Sequence, residues 1–159
     1  MAKLIIFRND YLSLEAMHNV FQYVGNSSKS CGLVGAQNML IESSIEQVLA
    51  ANKYFYNNTG KKVIHFVIAF AQEDYISTTD AFYVGYEVCS LLPEYQIKFG
   101  VHQDTNNLHI HFAMNPTSLI NGHKFCFNNT NLFNFMGELR EIFKSYEIKI
   151  NFDYTNCYK

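Results

Sequence analysis

Along this chain, stretches whose apolar residues recur every three or four positions are interleaved with short apolar runs of strand length. Leu4 to Phe7 reads as a first strand. Ser13 then offers an N-cap for a helix through Ala16, Met17, Val20 and Phe21 to Val24, which Gly25 ends. The polar, Gly-punctuated stretch from Asn26 to Gly35 predicts a long loop. Ser43 or Ser44, with Gln47 as a capping-box-like partner, starts a second helix that runs to Phe55. Val63 to Ala71, rich in β-branched and aromatic residues, predicts a central strand. A third helix is expected over Thr79–Leu91, capped by Ser77 or Thr78 and followed by Pro93. Strands at Tyr95–His102 and Leu108–Asn115 form an antiparallel hairpin around Gln103-Asp-Thr-Asn-Asn107. The Asn121-Gly122 turn leads into a short strand at His123–Phe127. A last helix follows from Asn131 to Tyr146, and then a final strand within Ile148–Tyr154. The fold class this predicts is α+β: an antiparallel sheet of about five strands with helices packed on one face, as a two-layer sandwich, or on both as a three-layer one.

At 159 residues and 48% hydrophobic content, the chain fits a single domain over residues 1–159, and neither a linker nor an internal repeat breaks it. The N-terminal apolar run is too short for a signal peptide, and no stretch approaches membrane-spanning length, so a cytoplasmic location is expected. Cys31, Cys89, Cys126 and Cys157 are scattered without a C-x-x-C pair, which predicts free and mostly buried thiols. A formal net charge of −2 argues against strong non-specific binding to duplex nucleic acid. The 14 Phe and 11 Tyr residues change that picture. Single-stranded bases can be held by stacking on aromatic faces, each stack contributing about 1–3 kcal/mol.

Three of the six histidines fall within ten residues, in Val101-His-Gln-Asp-Thr-Asn-Asn-Leu-His-Ile-His-Phe112. Side chains alternate faces along a strand, so His109 and His111 point to one side, about 7 Å apart, and Leu108, Ile110 and Phe112 to the other. The hairpin brings His102 alongside. His102, His109 and His111 are therefore expected to form a divalent-metal site with open coordination positions, able to take a phosphate of single-stranded DNA for cleavage. Asp104 either orients a ligand through a hydrogen bond or stabilises the hairpin as a turn residue. Asn115, at an even offset from the two histidines, is expected on their face, within reach of a phosphate or a ligand.

The segment His102-Gln-Asp-Thr-Asn-Asn-Leu-His-Ile-His-Phe112, followed by Asn115 and Gly122, resembles the metal motif of the relaxases, plasmid-mobilisation nucleases (MobA/VirD2-like) within the HUH endonucleases. Phe21-Gln-Tyr-Val with Lys29 resembles the nucleophile motif of that family, Gly35-Ala-Gln-Asn38 a family loop, and His65-Phe-Val-Ile-Ala-Phe70 its central strand. The order holds from about residue 12 to residue 145. The resemblance implies that Tyr23 attacks a phosphodiester of single-stranded DNA at an origin of transfer, leaving a covalent 5′-phosphotyrosine and a free 3′-hydroxyl. Tyr11 is the second choice for that role. The implied cofactor is Mg²⁺ or Mn²⁺, and Zn²⁺ or Ni²⁺ can occupy such a site in a crystal.

Lys29, Lys53, Lys61 and Lys62 are candidate phosphate contacts, and His65 either touches the active site or packs in the sheet. Ala69 departs from the pattern, standing where the family often has Ser. The acidic balance suggests an accessory DNA-binding protein as a second partner beside single-stranded DNA. A replication initiator or transposase of the same chemistry, and a DNA-binding relative that has lost cleavage, remain as alternatives. A zinc hydrolase of small substrates is disfavoured, because no Glu sits at a metal-motif spacing to act as general base.

Overall fold

The computed structural model describes residues 1–103 and 106–154. Its centre is a six-stranded sheet made of β1 (Ala2–Ile6), β2 (Val34–Gln37), β3 (Ile64–Ala69), β4 (Ile97–His102), β5 (His109–Met114) and β6 (Ile150–Phe152). The spatial order is β2-β4-β5-β3-β1-β6. Every neighbouring pair is antiparallel except β1 and β6, which run parallel. The longer helices are α1 (Leu14–Val24), α3 (Ser44–Tyr54), α4 (Thr78–Ser90) and α5 (Asn129–Lys144), and α2 (Ser27–Ser30) is a single turn.

Alternation along the strands divides the apolar residues between two faces. Leu4, Ile6, Phe66, Ile68, Phe99, Val101, Ile110 and Phe112 are buried with Val84 and Val88 of α4 and Leu139 and Phe143 of α5 in one large core. Phe66 and Phe112, directly paired in the sheet, stack with ring centroids 4.6 Å apart. The opposite face carries a smaller cluster in which Met17, Val20, Phe21 and Val24 of α1 meet Val48 of α3, Val63 and Ala113. Helices therefore cover both faces, which is the three-layer form of the expected sandwich. This explains the unbroken burial of β3 from Ile64 to Ile68, since a strand covered on both sides has no polar face to alternate with.

Caps fall close to the predicted places. Ser13 Oγ accepts from Ala16 N and Ser77 Oγ from Asp80 N, and Gln47 Nε2 donates to Ser43 Oγ at 2.7 Å. Two expectations fail. The predicted loop over 26–35 contains α2 and the start of the edge strand β2, which pairs Val34 with Gly100 and Gly35 with Phe99. Residues 34–37 adopt strand structure because β4 supplies the partner, whatever the local glycines prefer. The strand expected at His123–Phe127 is reduced to one bridge between Thr117 and Lys124, while Phe125 and Phe127 pack as side chains against the core. Among the described residues no helix is long and apolar enough to cross a membrane.

The cysteines also differ from expectation. Among the described residues Cys89 is buried, but Cys31 and Cys126 are exposed. Desolvation pushes the Cys89 thiol up to about 12, which suppresses its thiolate. Iodoacetamide should therefore alkylate Cys31 and Cys126 in the native protein and Cys89 only after unfolding, as peptide mass spectrometry would read. Native labelling of Cys89 at a similar rate would contradict the packing of α4 on the sheet.

Candidate active site

The site begins with the register of one hairpin. His102 of β4 lies opposite His109 of β5, and Gly100 lies opposite His111, so all three histidines share the face covered by α1. On the other side of β5, Val67 pairs with His111 and Ala69 with His109, which brings His65 of β3 to the same face two residues along. The ring centroids of His102 and His111 are 4.4 Å apart and stacked, and those of His109 and His111 are 6.1 Å apart. The sequence left His65 undecided between site and sheet. The structure brings its Nε2 within 3.1 Å of His111 Nδ1 and its Nδ1 within 3.4 Å of the Tyr11 hydroxyl. Burial, and then the nearby charge of His102, push His65 down to about 4, so it is neutral at physiological pH.

Helix α1 delivers the tyrosine. Its buried positions Met17, Val20, Phe21 and Val24 follow helical spacing and dock on the sheet, which leaves Tyr23 on the flank beside the histidines. The Tyr23 ring meets His102 edge-on at 5.2 Å and His111 at 5.1 Å, with His65 at 6.3 Å. Its side chain remains partly open to solvent, 39% exposed. The Lys29 ammonium, carried by α2, lies 5.5 Å from the centre of the same ring. A cavity of about 460 Å³ opens next to these groups, lined by Phe7, Tyr11, Asn19, Tyr23, His65 and His111 among others. Phe7 stacks on His65 with centroids 4.3 Å apart.

The approach of helix to strand depends on Gly100. A Cβ at that position would lie 2.1 Å from the Val24 carbonyl oxygen, so only glycine admits the end of α1 here. That same carbonyl accepts a hydrogen bond from His102 Nε2 at 3.0 Å. A carbonyl can only accept, so His102 carries a proton on Nε2, and in its neutral form the lone pair is on Nδ1. A ring nitrogen donating to a backbone carbonyl while the other faces a metal is the usual arrangement of a ligating histidine. In His111, a proton on Nδ1 directed to His65 would likewise leave the lone pair on Nε2.

The donor chemistry of His102, His109 and His111 thus fits a divalent ion. As they stand, however, their rings lie stacked or tilted on one another, and no group of three candidate ligands among the described residues is already arranged around an ion position.

The remaining predicted residues divide. Asp104 lies outside the described residues. Asn115 is fully buried beyond the end of β5, where its Nδ2 donates to Gln96 Oε1 at 3.0 Å and its Oδ1 accepts from Thr117 N at 3.3 Å. The structure gives Asn115 to the loop that follows and does not bring it to the histidines. Lys53 is exposed on the last turn of α3. Phe7 and Gly100 went unnoticed in the sequence, and only the strand pairing reveals them.

A family model described as the MobA/VirD2-like nuclease domain of relaxases matches residues 23–148, most of the chain. The chain belongs to that family, and membership supports a DNA-nicking role in general terms. Neither the curated proteins nor the solved structures that were searched contain a match.

Replacing Gly100 with Ala should lower stability by about 1–3 kcal/mol, the usual cost of an added methyl in a filled space. Urea unfolding would measure this, and unchanged stability would mean that α1 does not rest on β4. A second expectation concerns pH. His65 in the unfolded chain titrates near pH ~6.5, whereas the folded protein holds it at about 4. Between those values the unfolded state takes up a proton that the folded state refuses, so stability is lost as pH falls through that window. In metal-free protein, His65→Gln should flatten this part of the stability–pH curve. A curve as steep as wild type would assign the acid sensitivity to other groups.

Proposed function

We propose that this protein is a metal-dependent, strand-specific nuclease that nicks single-stranded DNA at an origin of transfer in conjugative mobilisation, with Tyr23 as nucleophile. The observation that carries the reading is the packing of the Tyr23 ring against His102 and His111 at once. A phosphate seated beside these imidazoles would lie within reach of the phenol. Tyr23 Oη would form a bond to phosphorus while the bond to the 3′ oxygen breaks. The phenolic proton goes to solvent or a nearby base, and the departing 3′ oxygen takes one up. The products are a 5′-phosphotyrosine and a 3′-hydroxyl, and the reverse reaction rejoins the strand. His102, His109 and His111 would hold the divalent ion, Mg²⁺ or Mn²⁺, which when bound neutralises charge building on the non-bridging phosphate oxygens.

His65 acts through His111, as a positioning residue. The chain from Tyr11 through His65 to His111 fixes the imidazole plane, and because His65 stays uncharged it adds no repulsion toward a cation. Lys29 holds a positive charge 5.5 Å from the centre of the Tyr23 ring, where it would favour an arriving phosphate. The carbonyl end of α1 directs its negative pole toward the cluster, which favours a cation there. Such a nuclease would work in the cytoplasm, and with a net charge of −2 it would gain DNA affinity from an accessory protein.

A second reading, a DNA-binding relative without cleavage, draws on Ala69. This methyl pairs with His109 where the family often presents a hydroxyl. One experiment separates the two. With Mg²⁺ or Mn²⁺, oligonucleotides from the origin region of its own plasmid or element should give a denaturation-resistant protein–DNA adduct. Tyr23→Phe and chelation of the metal should each abolish it, and His65→Gln should lower adduct formation or metal affinity about 10–100-fold. An adduct that survives Tyr23→Phe would move the nucleophile elsewhere, Tyr11 first. Binding without any adduct would select the non-cleaving reading.

A further inference from the structure

Phe7 separates the site from a second hollow. It lines the cavity beside Tyr23 and also a neighbouring one of about 310 Å³, whose walls include Arg8, Lys61, Phe125 and Phe127. Arg8 and Lys61 line this second hollow, and further lysines are tied to the backbone beside them. Lys124 Nζ donates to the carbonyl of Lys61 at 3.0 Å and also to that of Thr59, and Lys62 Nζ donates to the carbonyl of Asn58 at 2.6 Å. Arg8 faces the Phe127 carbonyl at 3.4 Å.

Four of the chain's twelve Lys and Arg residues are therefore linked through Lys61 and its neighbours, in a protein whose acids outnumber its bases: Arg8 and Lys61 line this hollow, and Lys62 and Lys124 lie on the hollows next to it. Among the described residues none of the four forms an ion pair within 4.0 Å. Partial burial, and then the charge of Arg8, lower the pKa of Lys61, and Asp10 and Cys126 together offset only part of this. Partial burial followed by the charge of Lys62 does the same to Lys124. A group of like charges held together and partly desolvated, with only partial compensation from Asp10, costs free energy in the free protein, and an arriving anion recovers part of it.

We infer that Arg8, Lys61, Lys62 and Lys124 form a phosphate-binding track that takes the DNA backbone as it leaves the catalytic site past Phe7. The inference rests on the reading of that site as a cutter of single-stranded DNA. A base beside the cut would stack against the exposed side of Phe7 in the 460 Å³ cavity, and the next phosphates would lie over the cationic cluster. This gives an acidic chain a local means of holding DNA that its net charge denies it.

The test uses equilibrium binding of labelled oligo(dT) to the Tyr23→Phe protein across a range of salt concentrations, with folding checked by circular dichroism. Each phosphate contact to a single strand contributes about 0.7 to the slope of log K against log salt, so Lys61→Gln should lower the slope by about 0.7 and Arg8→Gln/Lys61→Gln by about 1.4. Lys144→Gln, on α5 across the sheet, should leave it unchanged. An Arg8→Gln/Lys61→Gln slope equal to wild type in folded protein would overturn the track. If the double variant fails to fold, Lys61→Gln alone decides by the same criterion. No cleavage enters this measurement. Loss of slope in a protein that forms no adduct would leave the track standing without the nuclease, and an unchanged slope in an active nuclease would remove the track alone.

Discussion

One carbonyl group organises the candidate site. The Val24 oxygen lies over Gly100, where no side chain intervenes, and accepts the Nε2 proton of His102. Three things follow from this contact. It satisfies a backbone acceptor at the open end of α1 that would otherwise be buried without a partner. It fixes Nε2 as a protonated nitrogen of His102. It also sets the height of the helix above the sheet, and thereby the position of Tyr23, one residue earlier. A contact between residues 78 positions apart thus fixes the relation between the phenol and the imidazoles.

The sheet separates stability from chemistry. Successive residues of β5 serve opposite purposes: Ile110, Phe112 and Met114 enter the large core under α4 and α5, while His109 and His111 face α1. A slip of one residue in the pairing would bury the imidazoles in the apolar core and expose the core residues on the active face, so the packing energy of the core enforces the register of the site. The active face is more thinly covered, with a small cluster under α1 and α3 and open space beside Tyr23.

Much of this was legible from the chain because local rules decided it. The caps at Ser13 and Ser77, the hairpin joining β4 to β5 and the parity of His109 and His111 depend on residues close in sequence. What escaped depends on partners far away. Val34–Gln37 becomes a strand because β4 lies beside it, and Gly100 matters because α1 crosses it. Asn115 has the right parity, yet its amide is taken by Gln96 and Thr117 before it could serve the histidines. Lys61 and Lys62 were visible as single lysines, but their association with Arg8 and Lys124 exists only once β1, β3 and the loop after β5 have come together. Tyr23 is intermediate: its motif suggested a role, and its ring contacts with three histidines supply the geometry.

The parallel pairing of β1 with β6 has a consequence for the order of events during synthesis. Lys3 and Leu4 leave the ribosome about 148 residues ahead of their register partners Asn151 and Phe152. Until then β1 can pair only with β3, and the side that β6 will cover stays open, with Ala2 N lacking the Lys149 carbonyl it finally bonds. The edge beside β1 is therefore the last part of the sheet that can be completed. Long-range closure of this kind is slow compared with helix formation, so the outer edge of β1 is where an unfinished molecule is most open to pairing with a neighbour.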